Sequence, residues 1–384
     1  MKVAHIITRL IIGGAQENTL FNCADLINGF GDDVLLLTGP TLGPEGSLMQ
    51  RASEKIPIKI VPHLIRNISP FHDIRAYLEL RQMLNEFQPD VVHTHSAKAG
   101  VLGRAAAWAM NPRPAVVHTV HGAPFYPYQN VLVRKFYQCC ERWAAKRCDA
   151  IISVADAMTE LMVNAGIAPR EKFTTIYSGM DIEPFLKSKE LRDTTRMKLG
   201  LTDDDIVIGK IARLFRLKGH EFVIDAASQI IRQVPNVRFL FVGDGILTAK
   251  HRAKIAKLGL EKYVLFAGLI SPEEIPSLIS AMDIVVHTSL REGLARVLPQ
   301  ALLSGKPVIS YDIDGAKEAV LDGETGFLLP PKSVNELAAA AVKLAVNPEL
   351  REQMGQNGRH KFSKRFDHLF MTEQIRQVYL QYRR

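Results

Sequence analysis

The sequence predicts an α/β protein made of two doubly wound parallel sheets. Short, β-branched and almost wholly apolar runs alternate with segments of helical period, as strands covered on both faces and joined by crossover helices require. The alternation runs once, lapses in the polar stretch LKSKELRDTTRMKLGLTDDD, and starts again. A chain of 384 residues also exceeds what one ordinary open sheet needs, so two domains are expected.

In the first series the strand candidates are Val3–Thr8, DVLLLT from Asp33, IKIVP from Ile58, DVVHTH from Asp90, AVVHTVHG from Ala115, AIISV from Ala150 and FTTIYSG from Phe173. Helical period fills the gaps, as in Phe71–Phe87 and Lys98–Met110. The second series reads IVIGKIARL from Ile206, VRFLFVGDG from Val237, VLFAGLI from Val264, IVVHTSL from Ile284, PVISYDI from Pro307 and GFLLPP from Gly326. The expected domains are residues 1–180 and 205–365, with 181–204 as a linker and a last helix in 366–384 packing back toward the first domain.

The composition, 47% hydrophobic and 23% charged with no low-complexity tract, is that of a soluble globular protein. Arg9 splits the first apolar run, and no window reaches the ~18 uninterrupted apolar residues of a spanning helix. A cytoplasmic protein is expected, with peripheral attachment to the inner face of the cell membrane as the variant. Cys23, Cys139, Cys140 and Cys148 form no C-x-x-C pair, so neither zinc nor a disulfide framework is indicated; buried reduced thiols are expected. A net charge of +8 favours anionic partners, but no nucleic-acid-binding module accompanies it, so nucleic acid is set aside.

In open parallel sheets ligands bind beyond the carboxyl ends of the strands. The run ARLFRLKGHE places Arg213 and Lys218 on the turn after the first strand of the second series. Guanidinium and ammonium groups there suit a diphosphate, although an isolated R-x-x-x-x-K is equally a solvated turn. The next strand ends in Gly243-Asp244-Gly245, where backbone can approach a ligand closely. Thr248 stands where a G-x-G-x-x-G needs glycine, which argues against a nicotinamide cofactor.

The stretch REGLARVLPQALLSGKPVIS follows the strand at Ile284. Pro299 belongs in a helix's first turn, so a helix is predicted from near Arg296 to before Gly305. Backbone N–H groups around Ala295–Leu298 then form an anion site together with Arg213 and Lys218. Glu292 and Gln300, eight residues apart, offer hydrogen bonds to sugar hydroxyls; taken singly, Glu292 is equally a plain acid near a helix dipole and Gln300 a surface helix residue.

The ordered set R-x-x-x-x-K, GDG and EGL-x-x-x-x-x-Q-A-x-x-x-G-K-P-V-I resembles the retaining nucleotide-sugar glycosyltransferases of family four, whose GT-B architecture has two facing Rossmann-like domains across a deep cleft. GGAQEN at Gly13, DVVHTHSAKAG at Asp90, VVHTVHG at Val116, YSGMD at Tyr177 and DGAKEAVLDGETGFLLPP at Asp314 extend the likeness over nearly the whole chain. Within the family, HTHSAKAGVLGRAA followed by VVHTVHGAPFYPYQ resembles bacterial members that extend lipid-linked glycans for surface polysaccharide.

The resemblance implies a nucleotide-sugar donor, most readily a uridine diphosphate sugar, on the second domain. Arg213 and Lys218 would hold the diphosphate. The Gly243–Gly245 turn and the loop around Leu269 would frame the base, and Gly293, Leu294, Ala295 and Arg296 the phosphate. Glu292 would face the transferred sugar. The family's second acid, which contacts the ribose, is replaced by Gln300; this is either a feature of the branch or an inactivating change. A glycan or lipid-linked acceptor would lie on the first domain against Gly13, His95, Lys98 and His121, with Gly14 near the donor. His121 matches the family's histidine beside the transferred sugar, whereas His93 and His118 read as satisfied core residues.

No cofactor or metal is implied. Asp312-Ile313-Asp314 spells a metal-binding D-x-D but sits in the wrong half and reads as a loop. From Phe125, FYPYQNVLVRKFYQCCERWAAKRCD reads as a helix with Leu132, Phe136, Cys140 and Trp143 as a core-facing stripe and a basic back that suits an anionic membrane surface. The rival readings are a nucleotide-sugar epimerase of the same architecture and a non-catalytic sugar-nucleotide-binding protein.

Overall fold

The computed structural model describes residues 1–41, 47–126 and 129–384. The chain divides into two units, Met1–Met180 with Phe366–Arg384, and Asp181–Arg365. In the first, β1 (Lys2–Ile7), β2 (Asp33–Thr38), β3 (Ile58–Ile60), β4 (Val91–His95), β5 (Ala115–Val120), β6 (Ala150–Ser153) and β7 (Phe173–Thr175) form a parallel sheet in the order β3-β2-β1-β4-β5-β6-β7. β1, β4 and β5 lie at its centre, which accounts for their unbroken runs of buried residues.

Helices Gly14–Phe30 and His368–Tyr382 cover one face of this sheet. Val3, Ile7, Leu36, Val91, Val117, Met371, Ile375 and Tyr379 make its core. The last helix is also held by polar contacts: Arg376 Nε lies 3.0 Å from Asp32, and His368 Nδ1 lies 2.8 Å from Asp25. Register pairs His5 with His93 across β1 and β4, so His5, His93 and His95 share the face that Tyr379 covers.

On the other face, small residues in helix Ala97–Trp108 let it lie against the sheet. A Cβ at Gly103 would come within 2.8 Å of the Thr94 side chain. Arg104, in the same helix, is fully buried and donates at 2.8 Å to Glu141 of helix Val131–Ala145. That pairing turns Glu141, Ala144 and Ala145 inward. The stripe expected to face the core is turned out instead: Leu132 is 77%, Phe136 52% and Trp143 44% exposed. Pro127 and Tyr128 of the same segment lie outside the described residues. All four cysteines are free thiols, and Cys139 is exposed rather than buried.

In the second unit β8 (Ile206–Ile211), β9 (Val237–Val242), β10 (Val264–Gly268), β11 (Ile284–His287), β12 (Val308–Tyr311) and β13 (Gly326–Leu329) form a parallel sheet ordered β10-β9-β8-β11-β12-β13. Ile208, Phe239, Phe241, Val286 and Ile309 pack against helices His220–Gln233 and Val334–Ala345. Residues 181–204 are not a linker but part of this unit. Helix Arg192–Lys198 packs on helix Ile275–Ala281, and Arg192 donates to the Ser280 carbonyl at 2.8 Å and pairs with Asp283 at 2.5 Å. The polar composition that suggested a connector serves these contacts. Among the described residues no helix is long and apolar enough to cross a membrane.

Removing one partner of a buried ion pair strands the other charge. Glu141→Ala is therefore expected to lower stability by roughly 3–5 kcal/mol, and the double change Arg104→Met with Glu141→Leu by much less. Urea unfolding followed by circular dichroism checks this; equal losses from both would refute it.

Candidate functional site

The second unit's site is assembled where β8 and β11 end. These strands are neighbours in the sheet although their loops are some seventy residues apart in sequence. After β8 the chain turns through Leu217 and Gly219, both at positive φ (67° and 73°), before helix His220–Gln233 begins. Leu290 N–H donates to the Leu217 carbonyl at 2.8 Å, and the Thr288 hydroxyl donates to the Gly219 carbonyl at 2.7 Å. The two loops are thus zipped together, and Lys218 Nζ meets Glu292 Oε1 in a salt bridge.

Two residues hold Glu292 from the next strand end. Its backbone N–H donates to Asp314 Oδ2 at 2.6 Å, and Gly315 N–H donates to the Gly293 carbonyl at 3.1 Å. Asp314, expected only to lie in a loop, adopts a positive φ of 44° where it takes this N–H. Burial raises the Glu292 carboxyl, but Lys218 with His287 outweighs it and leaves the group below the ordinary value. Burial raises Asp314. Lys210, a buried lysine on β8, was also missed; burial, then Lys218, draws it down to about 7.

Gly243, at φ 127°, passes so near the Ala212 carbonyl that a Cβ would lie 2.3 Å from it, and its N–H donates to Gly268 at 2.8 Å. The expected base-framing loops are therefore side by side, with Leu269 exposed beside them. Asp244 turns Oδ1 onto its own loop, accepting from Thr248 Oγ1 at 2.6 Å and from Gly245 N–H at 2.7 Å. Arg213 lies over the Phe215 ring at 5.2 Å. The helix expected from near Arg296 runs Val297–Leu303 with Arg296 as its cap, and Gln300 sits partly buried within it. Leu298 N–H is already given to the Ala295 carbonyl at 3.1 Å, so it drops out of the predicted anion donors.

In the first unit a pocket of about 260 Å³ is lined by Ala15, Ser96, Thr119, His121, Gly122 and Glu141, among others. Gly13 ends the loop after β1 in extended backbone, and Gly14 opens the adjoining helix. Two expected acceptor contacts are corrected. His95 is 1% exposed, with Nδ1 3.1 Å from His121 Nε2 and Nε2 3.0 Å from His5 Nδ1, so neither ring nitrogen is left for an acceptor. Lys98 donates to the Asn67 carbonyl and pairs with Asp73, which ties down the ammonium. His93 and His118 are hydrogen-bonded core residues: His93 to Tyr379 at 2.5 Å and Thr119 at 2.7 Å, His118 to Thr94 at 2.9 Å.

Ring nitrogens of His5, His93 and His95 lie within 4.8 Å of one another, the distance at which three imidazoles can share a metal ion. Both nitrogens of His93 and of His95 are already committed, so the trio is built first as a hydrogen-bonded cluster.

A family described as Glycosyltransferase Family 4 matches residues 12–184, and one described as Glycosyl transferases group 1 matches residues 192–361. The UDP-Gal:alpha-D-GlcNAc-diphosphoundecaprenol alpha-1,3-galactosyltransferase of Escherichia coli is 28% identical over 383 residues, 99% of this chain and 97% of that protein. The capsular polysaccharide biosynthesis glycosyltransferase CapM of Staphylococcus aureus is 26% identical, covering 83% of this chain and 84% of its own. Among solved structures, Anabaena HepE in complex with UDP-glucose superposes with a TM-score of 0.84 at 26% identity, over 99% of this chain and 100% of that one.

Burial holds His5 down to about 3 and His121 to about 4, with His93 and His95 well below the ordinary value. Unfolding returns each to ~6.5, so between there and ~4 the unfolded chain binds more protons and stability falls as pH falls. Each such histidine contributes up to ~1.4 kcal/mol per pH unit in that window. Urea midpoints should drop as pH falls from about 6.5 to 4.5, apart from the rise above about pH 7 that buried Lys210 contributes; a flat profile between about 6.5 and 4.5 would contradict neutral burial.

Proposed function

The chain belongs to glycosyltransferase family four and is a glycosyltransferase of the GT-B architecture, and on that footing we propose that it transfers a hexose or N-acetylhexosamine, with retention, from a uridine diphosphate sugar to a hydroxyl of a lipid-linked glycan in surface-polysaccharide synthesis. The observation that carries the donor half is the meeting of Lys218 and Glu292 at adjoining strand ends. Its partner choice is supported by the UDP-glucose complex of HepE and by the lipid-linked substrate in the name of the Escherichia coli relative.

In this reading Arg213 and Lys218 neutralise the diphosphate as the bond from the sugar's anomeric carbon to phosphate oxygen breaks. The acceptor oxygen attacks from the face the diphosphate leaves, and its proton passes to the departing phosphate. A diphosphate competes with Glu292 for the Lys218 ammonium, so donor binding releases the carboxylate toward the sugar. These two cations supply the neutralisation, and the proposal includes no metal or cofactor. His121 meets the sugar or acceptor from its pocket, and Gln300 takes the ribose with a neutral amide, at roughly half the strength of a charge-assisted bond.

A thermal-shift panel of uridine, guanosine and adenosine diphosphate sugars tests the donor; saturation at about 100 Kd adds ~2.7 kcal/mol. Gln300→Glu should tighten donor binding, and Glu292→Gln should lower kcat without weakening donor binding, since the Lys218 ammonium is then no longer shared with a carboxylate. No shift with any nucleotide sugar would overturn the assignment, and interconversion of the sugar without acceptor would favour an epimerase.

The outward stripe of helix Val131–Ala145 supports docking on an anionic bilayer. Leu132, Phe136 and Trp143 stand exposed among Arg134, Lys135, Lys146 and Arg147. Apolar insertion and ~1 kcal/mol per basic residue are what such surfaces use. Co-sedimentation with phosphatidylglycerol vesicles should be strong, and lost in Leu132→Glu with Phe136→Glu; unchanged sedimentation of that variant would count against it.

A further inference from the structure

The first unit carries a histidine chain of which the transfer reaction as described uses only the outer member, His121. His121 lines the pocket, and its Nε2 lies 3.1 Å from His95 Nδ1; His95 Nε2 lies 3.0 Å from His5 Nδ1. His5 Nε2, fully buried, has no hydrogen-bond partner among the described residues. The rings are held in place from the side by His93, whose centroid is 5.1 Å from His5 and 4.2 Å from His95, and which Tyr379 and Thr119 fix at both nitrogens.

Neutral imidazole has one N–H and one lone pair, so a chain of three rings joined nitrogen to nitrogen has only two proton patterns. Burial keeps all three neutral. If protons point inward, His121 Nε2–H donates to His95, His95 Nε2–H donates to His5, and a buried His5 Nε2–H ends the chain with no acceptor. If they point outward, His5 Nδ1–H donates to His95 Nε2, His95 Nδ1–H donates to His121 Nε2, and the chain ends in His121 Nδ1–H. A buried N–H with no acceptor is the rarer fault in folded proteins. The outward pattern leaves only a bare nitrogen at His5 and turns the donor toward the pocket.

We infer that His95 and His5 are positioning residues that hold His121 in the tautomer protonated at Nδ1, so that it meets its ligand as a hydrogen-bond donor and not as a base. The ligand class is one presenting an oxygen acceptor, such as a sugar hydroxyl or ring oxygen. The tautomer stands on geometry alone; only its effect on turnover rests on the glycosyltransferase reading. It also assigns work to His95, which its burial removes from direct contact with an acceptor.

Long-range 15N–1H correlation spectra of histidine-labelled protein, with His121→Gln to assign the ring, read the tautomer directly. The expected result is a protonated Nδ1 and a bare Nε2 at His121; a proton on Nε2 overturns the inference whatever the enzyme's activity proves to be. His95→Phe removes the ring that donates to His121 Nε2, and should give a mixture of His121 tautomers with kcat down by up to about 100-fold at unchanged donor Kd. A single retained His121 tautomer in that variant, with kcat lost all the same, would show a merely structural role. The wild-type spectrum decides the matter even if His95→Phe fails to fold.

Discussion

The geometry at the ends of β8 and β11 depends on the approach of Gly219 to the Thr288 carbonyl. A Cβ at 219 would lie 1.8 Å from that oxygen, and the residue's φ of 73° is one that other side chains seldom adopt. With hydrogen only at that Cα, the loop after β8 closes on the loop after β11, and the Leu290–Leu217 and Thr288–Gly219 hydrogen bonds follow. Lys218, one residue before the glycine, is then carried to Glu292. The parallel order of the sheet makes this possible, since β8 and β11 end on the same edge with nothing between them. Asp314 adds a third strand end by taking the Glu292 N–H, so the carboxylate is aimed by backbone contacts from two loops.

The first unit solves a different problem. Parallel strands at the centre of a sheet ordinarily bury hydrocarbon on both faces, yet β1 and β4 carry three histidines on one face. Burying polar rings is tolerable only where nearly every nitrogen finds a partner. Here the partners come from the strands themselves, from Thr119 on β5, and from Tyr379 on the last helix. That helix therefore does more than cover hydrocarbon: it satisfies a nitrogen that the sheet cannot, and Asn22 in helix Gly14–Phe30 lies 3.3 Å from the same tyrosine hydroxyl.

Every strand among the described residues overlaps an apolar run picked out by pattern, because a parallel strand buried on both faces writes itself into consecutive residues. That these loops would lie together was legible for a related reason: Arg213, Lys218, Gly243 and Glu292 each follow such a run, and strand ends on one edge must converge. What failed to show depends on partners distant in sequence. Residues 181–204 look like a connector until Arg192 finds Asp283 and the Ser280 carbonyl. The stripe on helix Val131–Ala145 has a core-facing period, but which side turns inward was decided by Glu141 meeting Arg104. Likewise His95 and Lys98 end a strand and begin a helix, as ligand-binding residues do, and only the structure shows that His5, His121 and Asp73 have already claimed them.

The two units thus present opposite electrostatics at their strand ends. In the second, charge is kept: Lys218 pairs with Glu292 and holds its carboxyl below the ordinary value despite burial. In the first, charge is removed: the histidines behind the pocket are held neutral by burial. A diphosphate leaving group needs fixed positive charge, whose strength grows as water is excluded. A sugar hydroxyl needs direction more than charge, and neutral donors held in one orientation supply it without attracting a competing anion. On this argument the neutral amide of Gln300, partly buried in helix Val297–Leu303, offers a hydrogen-bond acceptor of fixed direction at less strength than a carboxylate there would have.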